Sequence, residues 1–360
     1  MGAGLYGAVC ARELTDAGKS CLVIDQRNHI AGNCYTEKKS DILVHTYGAH
    51  IFHTSNERVW KYVNRYAEFN HYINQPVAMV DGIPYNLPFN MNLFSKVFNV
   101  TKPHEVAQII ADETCFSQDT TPTNLEEQAI KLVGETIYTK FIKGYTEKQW
   151  GKPCIELPPD IITRLPLRFT YDNNYFNDKY QGIPTEGYTS LIEHLLEGTE
   201  VRLDSTYTDS YSDIADKIIY TGMIDQYFGY QYGPLEYRTL QFVEVEKDTP
   251  NYQGNAVINY PSLDIPYTRS IEHKHFAGDS TSPTTILSYE FSKQYDHTTD
   301  QIPYYPIGNK QNKALYKKYK KLADKQQKVI FAGRLGQYQY FDMDDTIENA
   351  LNLADKELQR

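Results

Sequence analysis

The opening segment, MGAGLYGAVCARELTDAGKSCLVID, constrains the fold more than any other part of the chain. Gly2, Gly4 and Gly7 form G-x-G-x-x-G, the turn between the first strand and first helix of a dinucleotide-binding βαβ unit. Alone the motif is weak, because three glycines fall at this spacing in many chains. The residues after it carry the argument. Gly7, Cys10, Leu14 and Ala17 recur at helical spacing, Gly18 is placed to stop that helix, and residues 21–24 read as a buried parallel strand. Asp25 ends the strand 21 residues beyond Gly4, close to the roughly 20-residue offset at which an acidic side chain accepts from a ribose hydroxyl. The helix N-terminus is therefore predicted to hold a pyrophosphate. The strand that normally precedes such a motif is missing, since only Met1 stands before it.

The remaining composition narrows the function. At 360 residues the chain is long enough for two or three domains, and its net charge of −10 argues against a nucleic-acid partner, which needs a basic surface. The five cysteines, Cys10, Cys21, Cys34, Cys115 and Cys154, are scattered and contain no C-x-x-C pair, so neither a disulfide framework nor a zinc site is suggested. His50 and His53 are three apart on an apparent loop without a third ligand nearby, and no metal is expected. No apolar run reaches the length of a membrane span, so the chain reads as soluble and cytoplasmic. The 31 tyrosines are the outlying feature: each offers an aromatic face with a hydroxyl, which suits sugars, bases and diphosphates, although most must be structural.

Along the chain the pattern is α/β, then helical, then alternating. VAMVDGIPYNL carries an Asp81-Gly82 hairpin signal, and TNLEEQAIKLVGETIYTKFI has a helical rhythm capped at Thr123 or Asn124. GYTSLIEHLLEG reads as a helix entered from a glycine, while LQFVEVEKD and YTRSIEHKHF alternate as antiparallel strands. KVIFAG is a strand and DTIENALNLADKELQR a closing helix beginning near Asp344 or Asp345. The expected architecture is α/β: a discontinuous FAD-binding Rossmann-like domain over 1–72, 187–230 and 325–360, a helical insertion over 90–160, and an antiparallel β-sheet and substrate domain over 73–89, 161–186 and 231–324. The strand ending at Gly333, followed by a polar, aromatic loop and a helix, favours FAD over NAD, because a two-motif flavoprotein closes over its cofactor in this way.

At this point one resemblance enters. GAGLYG, RNHIAGN, YGAHIFHT, LPFN, IKGYTEKQWG, RFTYDNNYF, YQGIP, YTGMIDQYF, LEYRTL, NYQGNAVINY, PYTRSIEHKHF, PYYPI and GRLGQYQYFDM run in order from Gly2 to Met343. With these the chain resembles the bacterial UDP-galactopyranose mutases, flavoenzymes that interconvert UDP-galactopyranose and UDP-galactofuranose. The resemblance implies a reaction without net redox that requires reduced FAD (FADH−), whose N5 is the nucleophile at the anomeric carbon with UDP as leaving group. It also implies a homodimer.

The same resemblance implies the site. Arg164 and Arg269 correspond to catalytic phosphate partners, with Tyr175, Tyr305 and Tyr340 donating hydroxyls to the diphosphate; an arginine fork suits this because it binds two oxygens at once. Tyr145 corresponds to the ring that stacks on uracil, with Thr146 and Trp150 in the substrate pocket. From sequence alone Trp150 would be core. Asn74 corresponds to a residue near the sugar and ribose, Arg238 to a pocket arginine, and His53 to a residue beside the flavin N5. For FAD the matching positions are Gly2, Gly4, Leu5 and Gly7, then Asp25, Gln26 and Arg27, then Gly32 and Asn33, and finally Gly333, Arg334, Tyr340, Asp342 and Met343.

Family members carry a hydrophobic residue, often Val, where Met1 stands here, so a truncated start is expected. Two other readings stay open on the residues: a related flavin oxidase of the amine-oxidase kind, and a truncated chain that does not hold FAD.

Overall fold

A computed structural model describes residues 2–114, 121–163, 165–277 and 281–359. Arg164 and Cys115 lie outside the described residues. The chain forms two contact-dense units, Met1–Tyr72 with Asp178–Thr239 and Tyr295–Arg360, and Ile73–Asn177 with Leu240–Gln294.

In the first unit, the helix Leu5–Asp16 follows directly from Gly4 and ends before Gly18, whose φ of +80° is the left-handed turn that glycine tolerates. It lies on the closing helix Met343–Leu358, which buries Ile347, Ala350, Leu351 and Ala354 as one apolar stripe. Tyr6 Oη reaches the Asn349 carbonyl at 3.4 Å, and Cys10 Sγ the Ala350 carbonyl at 3.6 Å.

The parallel strands form two separate pairs: Leu22–Ile24 with Glu200–Arg202, and Val329–Phe331 with Ile218–Tyr220. The opening residues reach both. Gly2 N donates to Thr221 Oγ1 at 3.0 Å, just past one pair, and Ala3 N to Asp25 Oδ2 at 2.8 Å, just past the other.

Three segments assigned by sequence to the sheet domain belong to this unit, 231–239 being the continuation of a stretch already in it. Strand Tyr180–Gly182 pairs antiparallel with Phe52–Thr54, which places 178–186 here. The helix Lys310–Ala323 buries Tyr319 against Ile224, Leu235 and Tyr237, which places 295–324 here as well. Both ties are contacts between distant segments, which local periodicity does not carry. His53 is likewise on the strand Phe52–Thr54 and not on a loop.

The second unit packs helices Met91–Phe98, Pro103–Glu113, Leu125–Ile137 and Gly144–Trp150 around Leu93, Phe94, Leu125, Val133 and Ile137, all fully buried. Asn90 and Asn124 cap two of them by accepting from backbone N–H groups of the first turn. Residues 138–143 are a π-helical turn that runs into Gly144–Trp150. Its sheet runs in the order 240–247, Thr285–Gln294, Arg269–Glu272, Val257–Asn259, Val77–Val80, Ile83–Asn86.

The expected antiparallel sheet is in fact mixed. Ile258 and Asn259 pair with Val77 and Ala78 in parallel. No hairpin joins these strands, so no tight turn imposes opposite directions. The alternation of YTRSIEHKHF also stops early, at Glu272, where a short helix Lys274–Ala277 follows.

Candidate active site

The glycine motif forms a backbone cradle in the first unit. Gly4 is extended at the N-cap of Leu5–Asp16 and supplies no capping side chain, so first-turn N–H groups are available to an anion. Gly32 packs on it: a Cβ at Gly32 would lie 3.1 Å from Gly4 Cα, and the φ of +55° there also favours glycine. Ala31 N donates to Ala3 O at 2.8 Å, locking the two glycine segments together.

Asp25 stands beside this cradle. Its Oδ2 accepts from Ala3 N and its Oδ1 from Arg27 N at 3.0 Å, which leaves lone-pair capacity on both oxygens. Arg27 lies over the Tyr47 ring at 4.8 Å and donates through Nη2 to Asn33 Oδ1 at 2.6 Å. Its Nη1 is buried with no hydrogen-bond partner among the described residues. An orphaned buried cation edge beside an open helix terminus and an acceptor carboxylate fits a dinucleotide diphosphate and ribose. Gln26 is exposed, Leu5 and Gly7 are buried within the helix, and Gly333 at φ +70° sits 3.6 Å from Tyr6 and 3.7 Å from Thr221 through its would-be Cβ.

A second cluster of the same unit gathers around Arg334. The guanidinium is 4.8 Å from the Tyr340 ring and 5.9 Å from the Tyr305 ring, and donates to the Phe341 carbonyl at 2.5 Å. Tyr340 Oη donates to Asp342 Oδ1 at 2.9 Å. Asp342 is the N-cap of the helix starting at Met343, one or two residues before the expected start near Asp344 or Asp345. Arg238, paired across strands with Tyr305, is only 3 % exposed, and burial lowers its guanidinium from the ordinary value.

His53 Nδ1 is 2.7 Å from Asp178 Oδ2, and Ser55 Oγ donates to Asp178 Oδ1 at 2.7 Å. Burial raises the nearby Asp344 carboxyl above its usual value, while a hydrogen bond from Thr54 lowers it. Neither Asp178 nor Ser55 was singled out by sequence.

In the second unit Tyr145, Thr146, Trp150 and Tyr175 line one cavity of about 270 Å³. The helix Gly144–Trp150 carries the first three. Tyr175 comes from the loop 168–177, which Arg168 pins by donating to the Phe176 carbonyl at 3.0 Å and to Asn177 Oδ1 at 2.5 Å. Asn90 Nδ2 adds bonds to Asp172 O and Asn173 Oδ1, both at 2.7 Å. Asn74 is joined to Tyr175 through its carbonyl, which accepts from Tyr175 N at 2.8 Å. Burial raises the Tyr175 phenol, and Arg269 draws it back down.

Arg269 is held by a partner that sequence reasoning missed. Its Nε donates to Glu290 Oε2 at 2.7 Å, and Glu290, fully buried, also accepts from Thr268 Oγ1 at 3.0 Å. The two residues face each other in strand register. Asn259, also missed, lines the cavity with a buried Oδ1 that has no hydrogen-bond partner among the described residues.

Residues 140–340 match the family model for UDP-galactopyranose mutase, and residues 1–66 the model for an NAD(P)-binding Rossmann-like domain. The chain is 43 % identical to a probable UDP-galactopyranose mutase of Klebsiella pneumoniae, covering 99 % of this chain and 93 % of that protein. It is 39 % identical to a dTDP-fucopyranose mutase of Escherichia coli, covering 98 % and 96 % respectively. A crystal structure of reduced UDP-galactopyranose mutase superposes with a TM-score of 0.77 at 16 % identity, over 99 % of this chain and 93 % of that one, which shows a shared fold. From the family model and the near full-length identity together, the chain belongs to the UDP-galactopyranose mutase family.

Proposed function

We propose that this chain is an isomerase interconverting UDP-galactopyranose and UDP-galactofuranose with a bound, reduced FAD, acting in the cytoplasm as a homodimer without nucleic-acid or membrane partners. Family membership supports the reaction. Among the described residues no helix is long and apolar enough to cross a membrane, and the net charge of −10 disfavours nucleic acid. The observation that carries the reading is local to the second unit: Tyr145, Trp150 and Tyr175 line one cavity, and Arg269, locked by Glu290, lies within electrostatic reach of the Tyr175 phenol. A cation, a hydroxyl and aromatic faces together suit a nucleoside diphosphate, not an apolar amine.

The residues that would hold FAD are Gly2, Gly4, Gly7, Asp25, Arg27, Gly32 and Asn33, with Gly333, Arg334, Asp342 and Met343 toward the flavin. A reduced flavin supplies an electron-rich ring nitrogen able to attack an anomeric carbon. The protein's own tasks are positional and electrostatic. Tyr145 and Trp150 offer ring faces to the base. Arg269, its Nε edge already fixed, offsets the charge that develops on the diphosphate as the sugar–oxygen bond breaks. Burial keeps the proton on Tyr175 Oη, so the hydroxyl is a donor at neutral pH. Arg164 is proposed for the same diphosphate on resemblance, and Tyr305 and Tyr340 are proposed phosphate donors.

The test is an absorption spectrum of the purified protein before and after dithionite, followed by UDP-galactopyranose or dTDP-fucopyranose. A yellow protein that forms UDP-galactofuranose only when reduced is the expected result. A colourless protein, oxygen consumption with an amine, or faster turnover of dTDP-fucopyranose would overturn it.

A further inference from the structure

We propose that Lys148 is a positioning residue for the nucleotide cavity, its ammonium group clamping the loop 260–267 onto the helix Gly144–Trp150 and so fixing the separation of two cavity walls. The inference rests on the reading that this cavity takes a nucleotide. Lys148 Nζ donates to four backbone carbonyls of one loop: Tyr260 at 2.5 Å, Ser262 at 2.8 Å, Ile265 at 2.9 Å and Tyr267 at 2.9 Å. The loop has no strand or helix of its own over these residues. Four carbonyl oxygens converging on one point repel one another unless a cation sits among them, and an ammonium with three N–H groups shared among four acceptors meets that need.

The clamp acts on both walls at once. On the helix side it belongs to the turn that carries Tyr145, Thr146, Gln149 and Trp150; on the loop side it holds the segment that follows Asn259 and contains Pro261, both of which line the cavity. The helix is seated closely: a Cβ at Gly144 would fall 2.2 Å from the Pro261 carbonyl oxygen. Ser292 Oγ donates to Gln149 O at 2.6 Å from a neighbouring strand, a second tether on the same helix. Burial pulls the Lys148 amine down to about 8, which leaves it an ammonium at neutral pH. Without the cation the four carbonyls would turn outward to water, and Asn259 Oδ1 and the Tyr145 ring would no longer hold one spacing.

The experiment uses the FAD-loaded enzyme with Lys148→Met, which keeps the side-chain length without the charge, and Lys148→Ala, which leaves room for a small amine. For Lys148→Met the expected result is a UDP Kd and a KM for UDP-galactopyranose raised about tenfold, with kcat within about twofold and flavin content unchanged. For Lys148→Ala, added propylammonium should restore UDP affinity and tetramethylammonium, which has no N–H, should not. Wild-type UDP affinity in Lys148→Met overturns the inference, as does equal rescue by both ions. Loss of the folded, FAD-loaded state in both variants also overturns it, because Lys148 is then needed for folding and not for the cavity. Failure of the unmodified enzyme to bind UDP overturns the nucleotide reading itself, an outcome distinct from all of these.

Discussion

Arg269 and Glu290 face each other on neighbouring antiparallel strands, with the guanidinium Nε donating at 2.7 Å to a carboxylate that is fully buried. The pairing aims the arginine and holds one edge of its fork, which is the preorganisation that charge stabilisation in a transition state requires.

It follows that Arg269→Ala lowers turnover by on the order of a hundredfold or more, the usual cost of one such donor. The same change strands a buried charge on Glu290 and should cost up to about 3 kcal/mol of stability. The double variant Arg269→Ala, Glu290→Ala separates the two effects: melting temperature should recover and turnover should not. Recovery of turnover would mean that Arg269 acts only by compensating Glu290.

The aromatic faces of the cavity give a second expectation. Tyr145→Ala or Trp150→Ala should weaken UDP binding by about 1–3 kcal/mol, the range of base–aromatic stacking, while the flavin spectrum stays as it was. Calorimetric titration with UDP measures this. If UDP affinity holds and FAD is lost, the rings belong to the core or the cofactor. Trp150 also packs against the helical core of its unit, so the comparison with Tyr145 is informative.

What could be read in advance divides by the range of the signal. The helix after Gly4, its stop at Gly18 and the cap at Asn124 are set within a few residues, and all three stand where the spacing puts them. The strand Leu22–Ile24 stops before Asp25, as read from the sequence, whereas the bond from Ala3 N to Asp25 Oδ2 was not foreseen. Glu290 was not legible, because its tie to Arg269 is a strand register across 21 residues. Lys148 was not legible either: its partners are backbone carbonyls, which every residue type carries. The parallel pairing of Ile258 with Val77 escaped for a related reason, since alternation marks a strand and says nothing of its direction.

The contact between Gly4 and Gly32 yields a stability test with its own control. A Cβ at Gly32 meets Gly4 Cα at 3.1 Å and sits at a φ of +55°, whereas Gly18, at +80°, has nothing within 4 Å. Gly32→Ala and Gly18→Ala should each lose about 1–2 kcal/mol to left-handed strain. Only Gly32→Ala should also lower the ratio of flavin to protein, because only there does the new methyl push on the cradle. Equal flavin content in the two variants would show that the cradle tolerates the shift or does not hold the diphosphate.

Acid sensitivity supplies the last expectation. Glu272 is fully buried at the end of its strand. Burial alone would raise its carboxyl, but His275 Nε2, 3.1 Å away, and the backbone N–H groups of Tyr252 and Gln253, at 2.9 and 2.8 Å, more than offset this and leave it at about 2. The folded value lies below the unfolded one, so the unfolded chain binds the proton more readily between them. The stabilisation is therefore complete above about pH 4.5 and is lost as pH falls toward 2, and it amounts to on the order of 3 kcal/mol. Urea unfolding from pH 6 down to pH 3 should show the unmodified protein losing stability below about pH 4.5. Glu272→Gln should be less stable at pH 6 and should lose less over the same descent, since an amide has no proton to gain. Parallel curves for the two proteins would mean that other carboxylates dominate the acid limb and that Glu272 is ordinary in its environment.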